Sequence, residues 1–238
     1  MNTNTYQMTV DEITVNVVRK DIKNLHLGVY PPEGRVRIAV PWTITDDAVR
    51  LAVINRLGWI KRQQAKFQAQ PRQSPREMVN GESHYFLGNR YRLQVIENKG
   101  SNRVEPRNKS YLDLYVKPNT DIEGRQLVLQ EWYRKQLRLL IPSLVERWEP
   151  ILGVRVAEWR IRKMKTKWGS CNIEAKRIWL NLELAKKPIH CLEYVIVHEM
   201  MHLLERYHNE RFVSLMDRYL PKWRLYRDEL NSTPLPED

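Results

Sequence analysis

Apolar and polar residues alternate along the N-terminal part of the chain. Ile13, Val15 and Val17 occupy every second place, as do Leu25, Leu27 and Val29, and again Val36, Ile38 and Val40. A period of two puts such side chains on one face of a strand, so three strands are expected. The PPEG stretch at 31–34 is a turn signal between the last two, predicting a hairpin. The period then lengthens. Thr45, Asp46 and Asp47 open a helix expected to run from about 46 to 69, with Trp59, Ile60 and Phe67 among its buried positions. PRQSPRE at 71–77 ends it as a polar linker.

Alternation returns further on. Residues 84–87 and 90–95 read as strands joined at Gly88-Asn89, a two-residue hairpin signal. Residues 111–116 form another, with Leu112, Leu114 and Val116 on one face. Helical spacing runs from about 122 to 148, where Pro142 is expected to kink or split the helix. A strand over 154–162 comes next, with a phase shift at Ala157-Glu158 that fits a bulge, then a short strand over 177–181. Leu192, Val195, Ile196 and Leu203 mark a helix begun near Pro188. Phe212, Leu215, Met216 and Tyr219 mark the next, broken by Pro221, and the last residues, 232–238, read as a disordered tail. No internal repeat is visible. The pattern predicts an α+β protein: a β-rich N-terminal portion with one long helix over 1–120, then a second domain over 121–231.

Inside the helix begun at Pro188 lies the string HEMMHLLERYH. Positions four apart on a helix stack on one face, so His198 and His202 point the same way and can share one metal ion. Glu199 is carried beside the open coordination position, where it can accept a proton from water. This is the zincin signature, with the histidines as ligands and the glutamate as general base. His208 stands six residues past His202, at metzincin ligand spacing. A straight helix would carry it roughly 9 Å too far along the axis. The helix is therefore expected to end between 203 and 206 and the chain to turn back. Metzincins have a glycine at that turn; this chain has Glu205, which is also the one rival third ligand. A chance HExxH on a structural helix is the plain alternative, and the third histidine weighs against it.

Composition narrows the setting. The chain has 238 residues, 42% of them hydrophobic and 29% charged, as a soluble globular protein does. No apolar run approaches the ~18 residues that cross a bilayer, and the first residues lack a basic start and apolar block. Two cysteines, Cys171 and Cys191, do not make a disulfide framework. A cytoplasmic location is the default expectation. Forty basic against 28 acidic side chains leave a formal charge of +12, which suits nucleic acid or nucleotides as well as simple solubility. Arg160, Arg162, Lys163, Lys165 and Lys167 crowd together before Trp168; they read as the wet face of an edge strand or as a cationic lip to a cleft. Trp168 reads equally as a core anchor.

Taken with Trp168, Gly169, Ser170 and Cys171, with Asn181 and Leu184, with Leu203, and with His208 followed four residues later by Phe212, the HExxH string resembles the YgjP-like predicted metal-dependent hydrolases, relatives of the SprT-like zinc proteases. The resemblance implies Zn²⁺ carried by three histidines and a gluzincin-like minimal protease core of sheet, active-site helix and following helix. Met200 and Met201 fill places where members often carry a small residue or Cys. The resulting expectation is a zinc-dependent hydrolase, foremost a metallopeptidase acting on peptide or protein, with Glu199 as base and His198, His202 and His208 as ligands. One alternative is a zinc-dependent nucleotide or phosphoanhydride hydrolase. Another is a nucleic-acid-associated SprT-like protease or a basic nucleic-acid-binding module. Glu183, Glu205 and Asp217 are candidates for carboxylates that orient the histidines. An extended substrate could pair with an edge strand above the helix, with Trp168 to Asn172 as a turn near that edge and Gly169 permitting an unusual backbone angle. Cys171 has no motif that would make it a nucleophile.

Overall fold

The computed structural model describes residues 3–30, 33–69 and 76–232, and its mixed α+β architecture divides into two units between residues 69 and 76. The linker and tail read from the sequence lie almost wholly outside the described residues. The first unit is a four-stranded sheet of β1 (Asn4–Val10), β2 (Ile13–Arg19), β3 (His26–Tyr30) and β4 (Arg35–Val40) in the order β1-β2-β4-β3. The alternation does what it predicts: Val15, Val17, Val36, Ile38 and Val40 are buried together with Met8 and Val10. Strand β1 is the element of this unit that alternation did not mark, and the later strands over 103–106 and 169–172 were likewise unmarked. Where a single helix was expected over 46–69 there are two, α1 (Asp46–Ile54) and α2 (Leu57–Ala69). The break falls at Asn55, a residue whose side chain competes with helical hydrogen bonds. There the Arg56 N–H turns back to Val53 before Ile60 bonds to Arg56 and the helix restarts.

The second unit opens with β5 (Ser83–Phe86), β6 (Asn89–Glu97), β7 (Arg103–Pro106) and β8 (Tyr111–Val116), in the order β5-β6-β8-β7. This repeats the first sheet. In both, a parallel central pair is flanked by antiparallel hairpins. In both, the first hairpin turns on two residues of positive φ, Asp11-Glu12 and Leu87-Gly88, as a type I′ turn requires. The hairpin signal thus sits one residue earlier than Gly88-Asn89. In both, a helix with a side-chain N-cap comes after the sheet, Thr45 in one case and Asp121 in the other. The repeat was invisible in the sequence because only alternation and turn lengths carry it.

Helix α3 (Ile122–Leu152) runs on through Pro142 and ends at the left-handed Gly153. Leu129, Leu137, Ile141, Leu144 and Trp148 are buried at helical spacing on either side of that proline, and this packing outweighs the roughly 3 kcal/mol that a proline costs inside a helix through its lost hydrogen bond and ring clash. Its core is shared with Leu93, Leu112, Leu114 and Val116 of the sheet. Strands β5–β8 therefore belong with α3 and the C-terminal elements, and the division differs from the one expected near residue 120. Three further strands, β9 (Glu158–Arg162), β10 (Gly169–Asn172) and β11 (Arg177–Asn181), form a sheet in the order β10-β11-β9. After a 3₁₀ turn over Leu182–Lys186 come α4 (Ile189–Met201), α5 (Glu210–Tyr219) and α6 (Trp223–Ser232). Pro221 ends one helix and another begins two residues later. The β5–β6 turn steadies the entry to α4: Leu87 and Gly88 donate to the carbonyls of Ala185 and Lys186.

Candidate metal centre

Helix α4 carries His198 and Glu199 in its last turn and ends at Met201, with His202 as its C-cap. That is slightly before the expected range. Leu203, Leu204 and Glu205 then donate to the carbonyls of Met200 and Met201, and the chain reverses to Asn209. The Asn209 side chain caps α5 by accepting from the Phe212 N–H. His208 is thereby returned to the end of the helix. None of residues 202–209 adopts a positive φ, so the turn closes without the glycine that metzincin spacing led one to expect.

The imidazoles of His198, His202 and His208 converge, each offering a nitrogen within 4.8 Å of the others. His198 Nε2 and His208 Nε2 lie 2.9 Å apart. His202 Nδ1 donates to the Glu205 carbonyl at 3.1 Å, which leaves its Nε2 lone pair free for the cluster. Glu205 thus acts through its backbone. Its carboxylate instead accepts from the Tyr207 N–H and stands outside the convergent set. Phe212 is buried beneath all three rings, its centroid 5.0, 5.0 and 4.7 Å from those of His198, His202 and His208. Burial, then the charges of His202 and His208, push His198 down to about 3, and burial also lowers His202. Neutral imidazoles are what a metal needs.

Glu199 is buried, and that burial raises its carboxyl to about 8 against the opposing charge of Lys167. Strand β10 passes directly over it. A Cβ placed on Gly169 would stand 2.5 Å from Glu199 Oε1 and 2.7 Å from its Cγ. Gly169 has no positive φ, so its role is close approach, not an unusual backbone angle. The WGSC segment is also not a turn near an edge but the edge strand itself, paired on one side with β11. Asn181 explains its own place in the motif. Fully buried, it donates to the carbonyls of Met164 and Lys167 at 2.8 and 2.7 Å and accepts from the N–H groups of Met164 and Glu183. It staples the cationic loop that leads into β10.

A cavity of about 770 Å³ runs along β10 over the three histidines and Glu199, with Lys167 and Arg206 on its rim. Of the cationic cluster, Lys167 lines the cavity, while Arg160 pairs with Glu158 and lies over the Trp179 ring. Trp168 is a rim residue, donating from Nε1 to Asn231. The other carboxylates singled out from sequence bond elsewhere: Glu183 to Lys186, and Asp217 to Trp223 and Arg224. A second group of donors, His190, Cys191 and Glu229, also lies within 4.8 Å. There His190 already pairs with Glu229 at 2.6 Å, and burial, then the Glu229 charge, raise the Cys191 thiol to about 11.

The model of a family described as YgjP-like, metallopeptidase domain, matches residues 23–233. No curated protein matches the chain. Among solved structures it is similar to the metallopeptidase zymogen of Pyrococcus abyssi abylysin, at 22% identity over 39% of this chain and 92% of that one, with a TM-score of 0.37.

Proposed function

The chain belongs to the YgjP-like metallopeptidase family, and from that premise we propose that it is a zinc-dependent peptidase with His198, His202 and His208 as metal ligands and Glu199 as general base. The observation that carries the reading is the convergence of three imidazoles beside one buried glutamate. The donor set fits zinc: three nitrogen donors with a place left open is the catalytic arrangement, whereas structural sites are closed and rich in cysteine. The His198 and His208 Nε2 atoms lie 2.9 Å apart, close enough that both would be offered to a single ion. When bound, the metal supplies Lewis acidity to the scissile carbonyl and to water.

The chain's own groups do the rest. Ionised when a cation is held beside it, which opposes the effect of burial, Glu199 takes the proton from the attacking water and passes it to the departing amine. Its burial keeps bulk water from competing, and Gly169 sets its position from above. The edge of β10 that pairs with no strand among the described residues offers backbone groups to an extended peptide, which favours a peptide over a nucleotide. The test is direct. Glu199→Gln should retain one zinc per chain and lose cleavage of a peptide library. Zinc-dependent hydrolysis of nucleoside triphosphates with no peptide cleaved would replace this reading with the phosphoanhydride one.

A further inference from the structure

Beyond Glu199 a second cavity of about 220 Å³ opens. It meets the larger one over four shared residues, Lys167, Gly169, His198 and Glu199. Its lining is mixed, with Trp168, Tyr194, Val195 and Leu230 as the apolar part. Tyr194, one helical turn before His198, stands edge-on to that ring and stacks on Trp223 at 6.5 Å. Trp168 faces from the β10 side and Leu230 from α6. The polar groups around it are engaged with one another: Asn231 accepts from Trp168, and Arg227 pairs with Asp228 at 3.0 Å and lies over the Trp223 ring. A volume equal to roughly seven waters at ~30 Å³ each holds one large side chain and little more.

Strand direction says which side chain. β10 runs from Gly169 to Asn172 and, among the described residues, pairs along one edge only. A peptide adding antiparallel, the slightly stronger pairing, lays its N-terminal half beside Ser170 to Asn172 and sends its C-terminal half past Gly169. The larger cavity is lined by Ser170 to Glu174, and the smaller one by Thr166 to Gly169. The smaller cavity thus lies on the C-terminal side of the bond above Glu199.

Resting on the peptidase reading, we infer that this cavity is the subsite for the residue immediately after the scissile bond, and that Trp168, Tyr194 and Leu230 make it selective for a bulky apolar or aromatic side chain. Helix α6 is then part of the specificity machinery and not only a brace. The probe is a pair of tetrapeptide amides that mimic the departing fragment and differ only in an N-terminal phenylalanine or alanine. They are titrated calorimetrically into zinc-loaded Glu199→Gln protein. The phenylalanine peptide should bind at least about tenfold tighter, the size of discrimination an apolar pocket supplies. Adding Asn231→Trp, at the exposed mouth, should bring the ratio near one while changing alanine-peptide binding less than about twofold. Equal binding of the two peptides, or a ratio indifferent to Asn231→Trp, overturns the inference. Library cleavage by the wild-type protein separates the two levels. Cleavage that needs Glu199 but shows no preference after the scissile bond leaves the peptidase and removes the subsite. Selective binding with no peptide cleaved strikes the peptidase reading and the assignment together.

Discussion

Gly169 and Glu199 are neighbours at a distance no side chain fits: a Cβ on the glycine would stand 2.5 Å from the carboxylate Oε1. The strand of the WGSC motif and the glutamate of the HExxH motif thus form one unit, thirty residues apart in the chain. Gly169→Ala must push the carboxylate, the strand, or both. Overpacking of this kind costs about 1–3 kcal/mol, and a displacement near 1 Å can lower turnover about 100-fold. We expect zinc stoichiometry to stay at one while kcat falls by that order, measured on any peptide the wild type cleaves. Unchanged kcat would show that Glu199 tolerates the shift.

His208→Ala and Glu205→Ala distinguish the two third-ligand candidates. The first should weaken zinc binding strongly, and the second should leave it within about tenfold, since the Glu205 carbonyl that orients His202 remains. Competitive chelator titration reads both. Retained affinity in His208→Ala would remove it from the ligand set.

Phe212 supports all three imidazoles from below. Phe212→Ala should cost about 3–5 kcal/mol of stability and loosen zinc about 10–100-fold, whereas Phe212→Leu should lose less of each. Denaturant unfolding of the metal-free protein isolates the first effect. A variant that lost stability but bound zinc as tightly as before would reduce Phe212 to a core residue.

His84, on β5, is buried 3.2 Å from Glu82, and burial pushes it down to about 4. The unfolded chain takes up this proton near 6.5 and the folded chain only near 4. Stability is therefore complete above about 6.5 and is lost as pH falls through that window, by at most about 3 kcal/mol from this group. His84→Phe should flatten the pH 6.5–4 portion of the stability curve relative to wild type. Parallel curves would place the acid sensitivity elsewhere.

The sequence by itself determined what local backbone geometry dictates. Alternation placed Val15, Val17, Val36 and Ile38 inward, because side chains on a strand repeat every second residue. Helical spacing put His198 and Glu199 on one turn, and the distance to His208 required the reversal that the chain makes after Met201. Other features were decided by tertiary structure, because they depend on contacts between distant segments that no spacing encodes. Gly169 is needed by Glu199 and not by its own φ; Asn181 staples a loop more than ten residues earlier; Phe212 gathers three histidines. The repeated four-stranded sheet shows the same limit, since alternation marks strands without naming their partners. The break at Asn55 and the unbroken run through Pro142 mark it from the other side. At Asn55 a local preference held. At Pro142 the packing of α3 against a sheet that precedes it in the chain overrode a local preference of about 3 kcal/mol, and only the folded core supplies an energy of that size.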